Sequence, residues 1–296
     1  MAAGVVTARR PAERGAPRRA LELLRRDRTA LAGLVMVAIA VVGSAAASVL
    51  APAPPDAVNV AERFAAPSVS HPLGTDNLGR DTFARILFGG QLSLSTAMIT
   101  TGAITVIGIA VGLVSGYYGG PVDAAIMRVV DVILALPRLV LALAITGVLG
   151  PGLLNLMIAI IAVGWADYSR IVRGLVLGLR ERPFVEGARA VGASPARIMV
   201  RHVAPNLIGQ VIVLSTLDFG AILLTLSGLS FLGLGVRPPT PEWGSMLAEG
   251  KNFLDRAPQL MLWPGLAISL VALGFNLLGD GVRDMLDPRV RDRPRA

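Results

Sequence analysis

Six stretches of the chain run almost free of charge for about twenty residues each, near 30–51, 91–116, 131–150, 153–169, 209–232 and 259–279. A helix rises ~1.5 Å per residue, so ~20 apolar residues cross the ~30 Å hydrocarbon core of a bilayer. Each run therefore predicts a transmembrane helix, six in all, and the fold class is an all-α integral membrane protein. Gly108, Gly112, Pro137 and Pro264 lie inside these segments. They do not defeat the assignment, because neighbouring helices can satisfy the backbone groups they free, but kinks are expected there.

The most conspicuous polar interruption is 182–206, an arginine-studded island between two long apolar segments. Pro183 suits the first turn of a short helix, and Gly192 suits a left-handed stop. Ser194-Pro195 supplies a side-chain N-cap followed by proline at the first helical position. Two short helices joined by a hinge are predicted. Gly187, Ala188 and Ala190 are small enough to let another backbone approach, with Arg182, Glu186 and Arg189 supplying charge around that contact. The same residues also fit an ordinary cytoplasmic loop whose arginines only set topology.

Two further polar segments carry local structure. Residues 52–90 open with Pro52, Pro54 and Pro55 and continue through His71 to Asp81, where glycines and Asp/Asn residues favour tight turns, so a compact extracytoplasmic loop is expected. Residues 234–258 begin with Pro238, Pro239 and Pro241, then place Trp243, Met246, Leu247, Gly250, Phe253 and Leu254 at near-helical spacing. This predicts a short interfacial helix with Trp243 at headgroup level. It fits a packing gasket over the bundle better than contact with a partner, because apolar helical faces are usually packing surfaces.

Composition agrees with a bilayer setting: 53% of the 296 residues are hydrophobic and 16% charged, and mean hydropathy is +0.64. The net charge of +8 is mostly a topology signal. Arg9, Arg10, Arg14, Arg18, Arg19, Arg25, Arg26 and Arg28 precede the first span. The positive-inside rule then places both termini and 182–206 in the cytoplasm. The basic N-tail could also touch anionic membrane lipid. Aromatics are only 5% of the chain, which argues against base stacking and hence against nucleic acid as a partner. Cysteine is absent, and His71 and His202 stand far apart, so no metal site is expected. Ala45-Ala46-Ala47 resembles a signal-peptide cleavage region, but the basic tail and apolar run before it are long for one. The only lysine, Lys251, is followed by Asn252, which excludes a phosphate-binding P-loop. ATP hydrolysis by that route would have to come from another chain.

Glu186, Ala188 and Gly192 in 186–192 resemble the cytoplasmic coupling motif of binding-protein-dependent ABC importer permeases. The stretches Leu229–Gly244, His71–Asp81 and Gly279–Asp284 narrow the resemblance to the C-type permease subunit of the dipeptide/oligopeptide/nickel importer family. It covers the chain from about Arg19 to Arg289. The resemblance implies a type I importer permease fold with cytoplasmic coupling helices in the bacterial inner membrane. It also implies a homologous second permease, two cytoplasmic ATPase subunits and an extracytoplasmic solute-binding protein as partners, and no bound cofactor in this chain. Glu186, Ala188 and Gly192 then correspond to ATPase-coupling positions, together with the adjacent Gly187, Ser194 and Pro195, and Pro205 and Asn206 match the motif's downstream end. Gly187 replaces a usual alanine and Ala204 a usual leucine; glycine costs ~1 kcal/mol of helix propensity, too little to abolish a helix held in a groove.

The resulting division is a cytoplasmic tail 1–29, a first span 30–51, an extracytoplasmic loop 52–90, a transmembrane domain 91–280 containing the coupling loop, and a tail 281–296. The competing reading is a gradient-driven secondary transporter or channel. It would need ionisable groups within the spans, for which Asp131, Arg138 and Asp218 are candidates. Asp131 and Arg138 fall two turns apart on one expected helical face. Asp218 is expected to face the bundle interior, as a pathway residue or as a packing hydrogen bond.

Overall fold

The structure, a computed structural model, describes residues 27–286. The expected basic tails, from Arg9 to Arg26 and from Arg289 to Arg295, lie outside the described residues, as do the outer parts of the 1–29 and 281–296 divisions. The elements are α1 (Arg28–Ala45), α2 (Ala47–Leu50), α3 (Thr82–Tyr118), α4 (Gly120–Leu134), α5 (Arg138–Leu149), α6 (Leu153–Leu179), α7 (Pro183–Ala190), α8 (Pro195–Ile198), α9 (Ala204–Phe231), α10 (Trp243–Lys251) and α11 (Gln259–Leu286). No named strand occurs among the described residues. Five helical segments are long and apolar enough to cross a membrane, and the α4–α5 pair makes a sixth if taken as one span.

That pair departs most from the pattern read along the chain. The span expected at 131–150 is two helices turned by 88°. Pro137 has no amide hydrogen and disfavours helical geometry at Leu136, so the expected kink is a complete break. The stretch between the second and third apolar runs is mostly helix α4. Asp131 and Arg138 consequently do not share a helical face. Asp131 pairs with Arg170 of α6, whereas Arg138 reaches Asp167 and Asp218 at 3.7 Å each.

The second span also starts earlier than its apolar run, at Thr82. Asp81 caps it, its carboxylate accepting from the Ala84 amide at 2.7 Å. The helix continues without interruption through Gly108 and Gly112, where kinks were expected. Together with Gly116 these glycines form a stripe every fourth residue against α6. A Cβ on Gly108 would stand 2.3 Å from the Tyr168 Cβ, and one on Gly112 2.7 Å from the Ser169 carbonyl oxygen. Small residues let the two backbones close to a distance at which dispersion and backbone contacts hold helices together in lipid. Pro264 is likewise accommodated within the continuous helix α11.

The segment before α3 folds back on the bundle through charge. Arg80 and Arg85, both almost fully buried, converge on Glu249 of α10 at 2.7 and 3.2 Å, and Arg80 also donates to Asp76 at 2.6 Å. Trp243 is packed inside the protein and is not an exposed interfacial anchor. It is 2% exposed, and its indole nitrogen donates to the Ile86 carbonyl at 2.9 Å. Glu242 caps α10 by accepting from the Gly244 and Ser245 amides at 2.9 and 2.8 Å. The helix is thus a gasket locked onto α3, α9 and α11.

His71 closes the loop by approaching Asp81 at 2.8 Å and Glu62 at 3.4 Å. The hydrogen bond to Asp81 raises its pKa above the ordinary 6.5. A raised folded-state pKa contributes stability that is complete below 6.5 and is lost as pH climbs through the higher folded value. Proteolysis of this loop in the intact protein is therefore expected to accelerate as pH rises above about 6.5, and His71→Gln should abolish that dependence. A flat pH profile in the wild type would remove His71 from the closure.

Candidate coupling site

The polar island is built as two helical pieces with one sharp corner. Pro183 opens α7 at its first turn. Gly192 stops it with φ +79°, the left-handed conformation that glycine adopts without a Cβ penalty. The Gly192 amide donates to the Arg189 carbonyl at 2.9 Å and the Ala193 amide to the Ala188 carbonyl at 3.0 Å. This pair of bonds defines a Schellman stop and satisfies carbonyls that the helix end leaves free. Ser194 then caps the next piece, its hydroxyl oxygen accepting from the Arg197 amide at 3.4 Å, with Pro195 in the first turn.

The second piece is not a short helix. After α8, Met199–Val203 forms a π-turn in which the Ala204 amide bonds the Met199 carbonyl, and α9 follows directly. Pro205 explains the wider turn: it lacks the amide that an α-helix would direct at the Arg201 carbonyl, so the local pairing shifts by one residue. Asn206 supports the junction by donating its side-chain amide to the His202 carbonyl at 2.6 Å. Pro195–Phe231 is therefore one helical segment of 37 residues, ~55 Å long at 1.5 Å per residue. It leads from the island to the far end of the fifth span.

The island is seated on the bundle by its apolar positions. Val185, Ala188, Ile198 and Val203 join Val172 and Val176 of α6 and Leu207 of α9 in one buried cluster. Each fully buried valine or isoleucine contributes ~1.5–3 kcal/mol relative to exposure. Ala188 therefore faces inward and is not part of a surface for a second backbone. Glu186, Gly187, Ala190, Ser194, Pro195 and Pro205 are exposed, and a Cβ on Gly187 would meet nothing within 4 Å. Arg189 is held over the Tyr117 ring at 5.4 Å.

Two exposed apolar residues on the outer face, Phe184 at 42% and Val191 at 83%, escaped the sequence reading. Their signal was present: they break the polar character of α7 at positions that do not join the inward Val185/Ala188 pair. Below the island, Arg173 of α6 makes two bonds to the Asp123 carboxylate of α4, both 2.5 Å. Arg180 donates to the Gly116 carbonyl at 3.2 Å. These contacts fasten the parts of α3, α4 and α6 nearest the island into one body. Asp218 lies far along α9 from this surface and belongs to a separate polar cluster. Among the described residues, no group of three or more His, Asp or Glu side chains could hold a metal ion.

Residues 108–292 match the family described as binding-protein-dependent transport system inner membrane component, and residues 18–67 match the N-terminal TM domain of oligopeptide transport permease C. The chain is 40% identical over 274 residues to the dipeptide transport system permease protein DppC of Alkalihalophilus pseudofirmus, covering 93% of this chain and 90% of the relative. It is 43% identical over 239 residues to the nickel transport system permease protein NikC of Escherichia coli, covering 81% and 86%. To the glutathione transport system permease protein GsiD of Pectobacterium atrosepticum it is 42% identical over 225 residues, covering 76% and 75%. With its all-helical membrane fold and no P-loop of its own, this chain belongs to the binding-protein-dependent transport system inner membrane components, the permease subunits of ABC importers whose ATPase activity lies in separate subunits.

Proposed function

We propose that this permease moves dipeptides, oligopeptides or related small solutes inward through alternating access. In this reading it pairs with a homologous permease, two cytoplasmic ATPase subunits and an extracytoplasmic solute-binding protein. The observation that carries it is the continuity of the capped island with the 37-residue helical segment of the fifth span. Closure of the ATPases pushes on the exposed face of α7 and the Gly192 corner. The buried valine and isoleucine contacts transmit that push without slippage, and the span swings as a stiff lever. Hydrolysis returns it. The relatives' names, for dipeptide, nickel and glutathione systems, support a small-solute importer with selectivity largely in the binding protein.

ATP-dependent uptake by the full complex in proteoliposomes, insensitive to a protonophore, is the expected result. The arginine and two aspartates inside the spans favour the gradient-driven alternative more than any other feature. Uptake by the permease without ATPases, abolished by a protonophore, would put that alternative first.

Orientation is testable because the chain has no native cysteine. Ser70 and Ser194 are both exposed. A cysteine at 70 is expected to react with an impermeant thiol reagent in intact right-side-out cells, and one at 194 only after the membrane is opened. Labelling of 194 from outside would invert the topology and remove the island from the ATPase side.

A further inference from the structure

Three charges from three different helices meet away from the ends of α6 and α9. Asp167 is residue 15 of the 27-residue α6, and Asp218 is residue 15 of the 28-residue α9. Arg138 joins them because the break at Pro137 starts α5 there, and the 12 residues of α5 place it ~18 Å from that helix's other end. A continuous third span would have carried this arginine at another depth and angle.

The cluster is incompletely matched. Arg138 stands 3.7 Å from each carboxylate, with side-chain exposures of 44% for Arg138, 42% for Asp167 and 20% for Asp218. Charge-assisted hydrogen bonds normally close to ~2.7–2.9 Å. One guanidinium thus faces two carboxylates without a close bond to either, and with Asp218 it borders a cavity of about 30 Å³ also lined by Ala142, Ile160, Ala221 and Thr225. The Tyr168 side chain is 1% exposed, and its hydroxyl makes no close hydrogen bond, although Asp218 lies near enough to receive one. Charges at this depth are costly unless they face water, one another or a ligand. Two carboxylates against one guanidinium leave a negative charge for which these three side chains supply no matching cation.

We propose that Arg138, Asp167 and Asp218 form a mid-membrane station on the translocation pathway that binds the cationic amino group of the passing solute. The ammonium bridges the two carboxylates, Arg138 keeps them apart and prevents tight trapping, and Tyr168 donates to Asp218. The station acts after release from the binding protein, so it imposes a second selection on charge. It rests on the importer reading.

The test uses Ala221, which is exposed and lines the cavity. In the complete complex, with cysteine removed from the other subunits, Ala221→Cys is labelled with aminoethyl or sulfonatoethyl methanethiosulfonate. Focused charge raises access of the matching ion by about 10-fold or more. The expected result is that preference for the cationic reagent after correction for intrinsic rates. It should fall in Asp218→Asn and vanish in the Asp167→Asn/Asp218→Asn double variant. Diglycine should slow labelling, and N-acetyldiglycine should not. Equal rates for the two reagents, protection by both peptides or by neither, or silence at position 221 would overturn the proposal; a basic side chain of the second permease filling the site would give that silence. ATP-dependent uptake by the unmodified complex is followed in parallel. Its absence counts against the importer reading, whereas the labelling pattern needs no ATP and reports on the station alone.

Discussion

Gly192→Val is expected to insert into the membrane at the wild-type level and lose nearly all transport. The residue sits at φ +79° with open space where a Cβ would go, so the penalty comes from the backbone and not from a clash. A left-handed conformation costs a non-glycine residue ~1–2 kcal/mol, and a β-branched side chain is worse placed than most. At about 2 kcal/mol the population holding the Schellman corner falls roughly 30-fold. The buried contacts of Val185 and Ile198 remain, so the bundle itself should not unfold. Glu186→Lys attacks the same surface by charge: Glu186 is exposed on α7, and a repelling charge at an interface costs several kcal/mol. For both variants the readouts are membrane level, ATPase copurification, and ATPase stimulation by loaded binding protein. Normal uptake and stimulation in both would reduce 182–206 to an ordinary cytoplasmic loop.

Glu249→Ala should produce the largest loss of stability of any single change at the end of the bundle that carries α10. Arg80 and Arg85 are only 3% and 2% exposed at their side chains, and both depend on this carboxylate. Removing it leaves two buried guanidinium groups facing Asp76. Breaking one partner of a buried ion pair costs ~3–5 kcal/mol, much of it the desolvation of the charge left behind. Thermal unfolding of the purified protein in detergent is expected to begin well below wild type. Glu249→Gln, which keeps a hydrogen-bond acceptor without the charge, should fall between the two. Protease should cut first in the segment around Asp76, while a cysteine at 194 keeps its wild-type reactivity. Unchanged unfolding in the alanine variant would mean that water, and not Glu249, satisfies the two arginines.

The two variants divide the molecule by the kind of information that specifies it. Long apolar runs give five of the spans directly, because hydrocarbon thickness sets a length that any such run either meets or misses, whereas the run at 131–150 is a bent pair of shorter helices. Capping was legible for the same local reason: Pro183, Gly192, Ser194 and Pro195 act within one turn of themselves, and their conformations follow from backbone sterics and one or two short hydrogen bonds. Membership of a permease family was legible in motifs spread along the chain.

Direction and partnership were not legible. Ala188 and Gly187 are both small and adjacent, yet one faces the bundle and the other solvent, because only the seating of α7 on Val172 and Val176 decides which side is inward. Trp243 reads as an interfacial anchor until the carbonyl of Ile86, 157 residues away in the chain, offers its indole a buried acceptor. Gly108 and Gly112 read as kinks, but the approach of α6 makes them contact points in a continuous helix. Pro137 marks a bend locally, while the 88° turn and the meeting of Arg138 with Asp167 and Asp218 depend on how α4, α5, α6 and α9 pack. Local sterics and the bilayer's thickness act within a few residues or along one run, and the sequence states both by itself. Side-chain facing and charge pairing depend on groups far apart in the chain, and only the packed tertiary structure decides them.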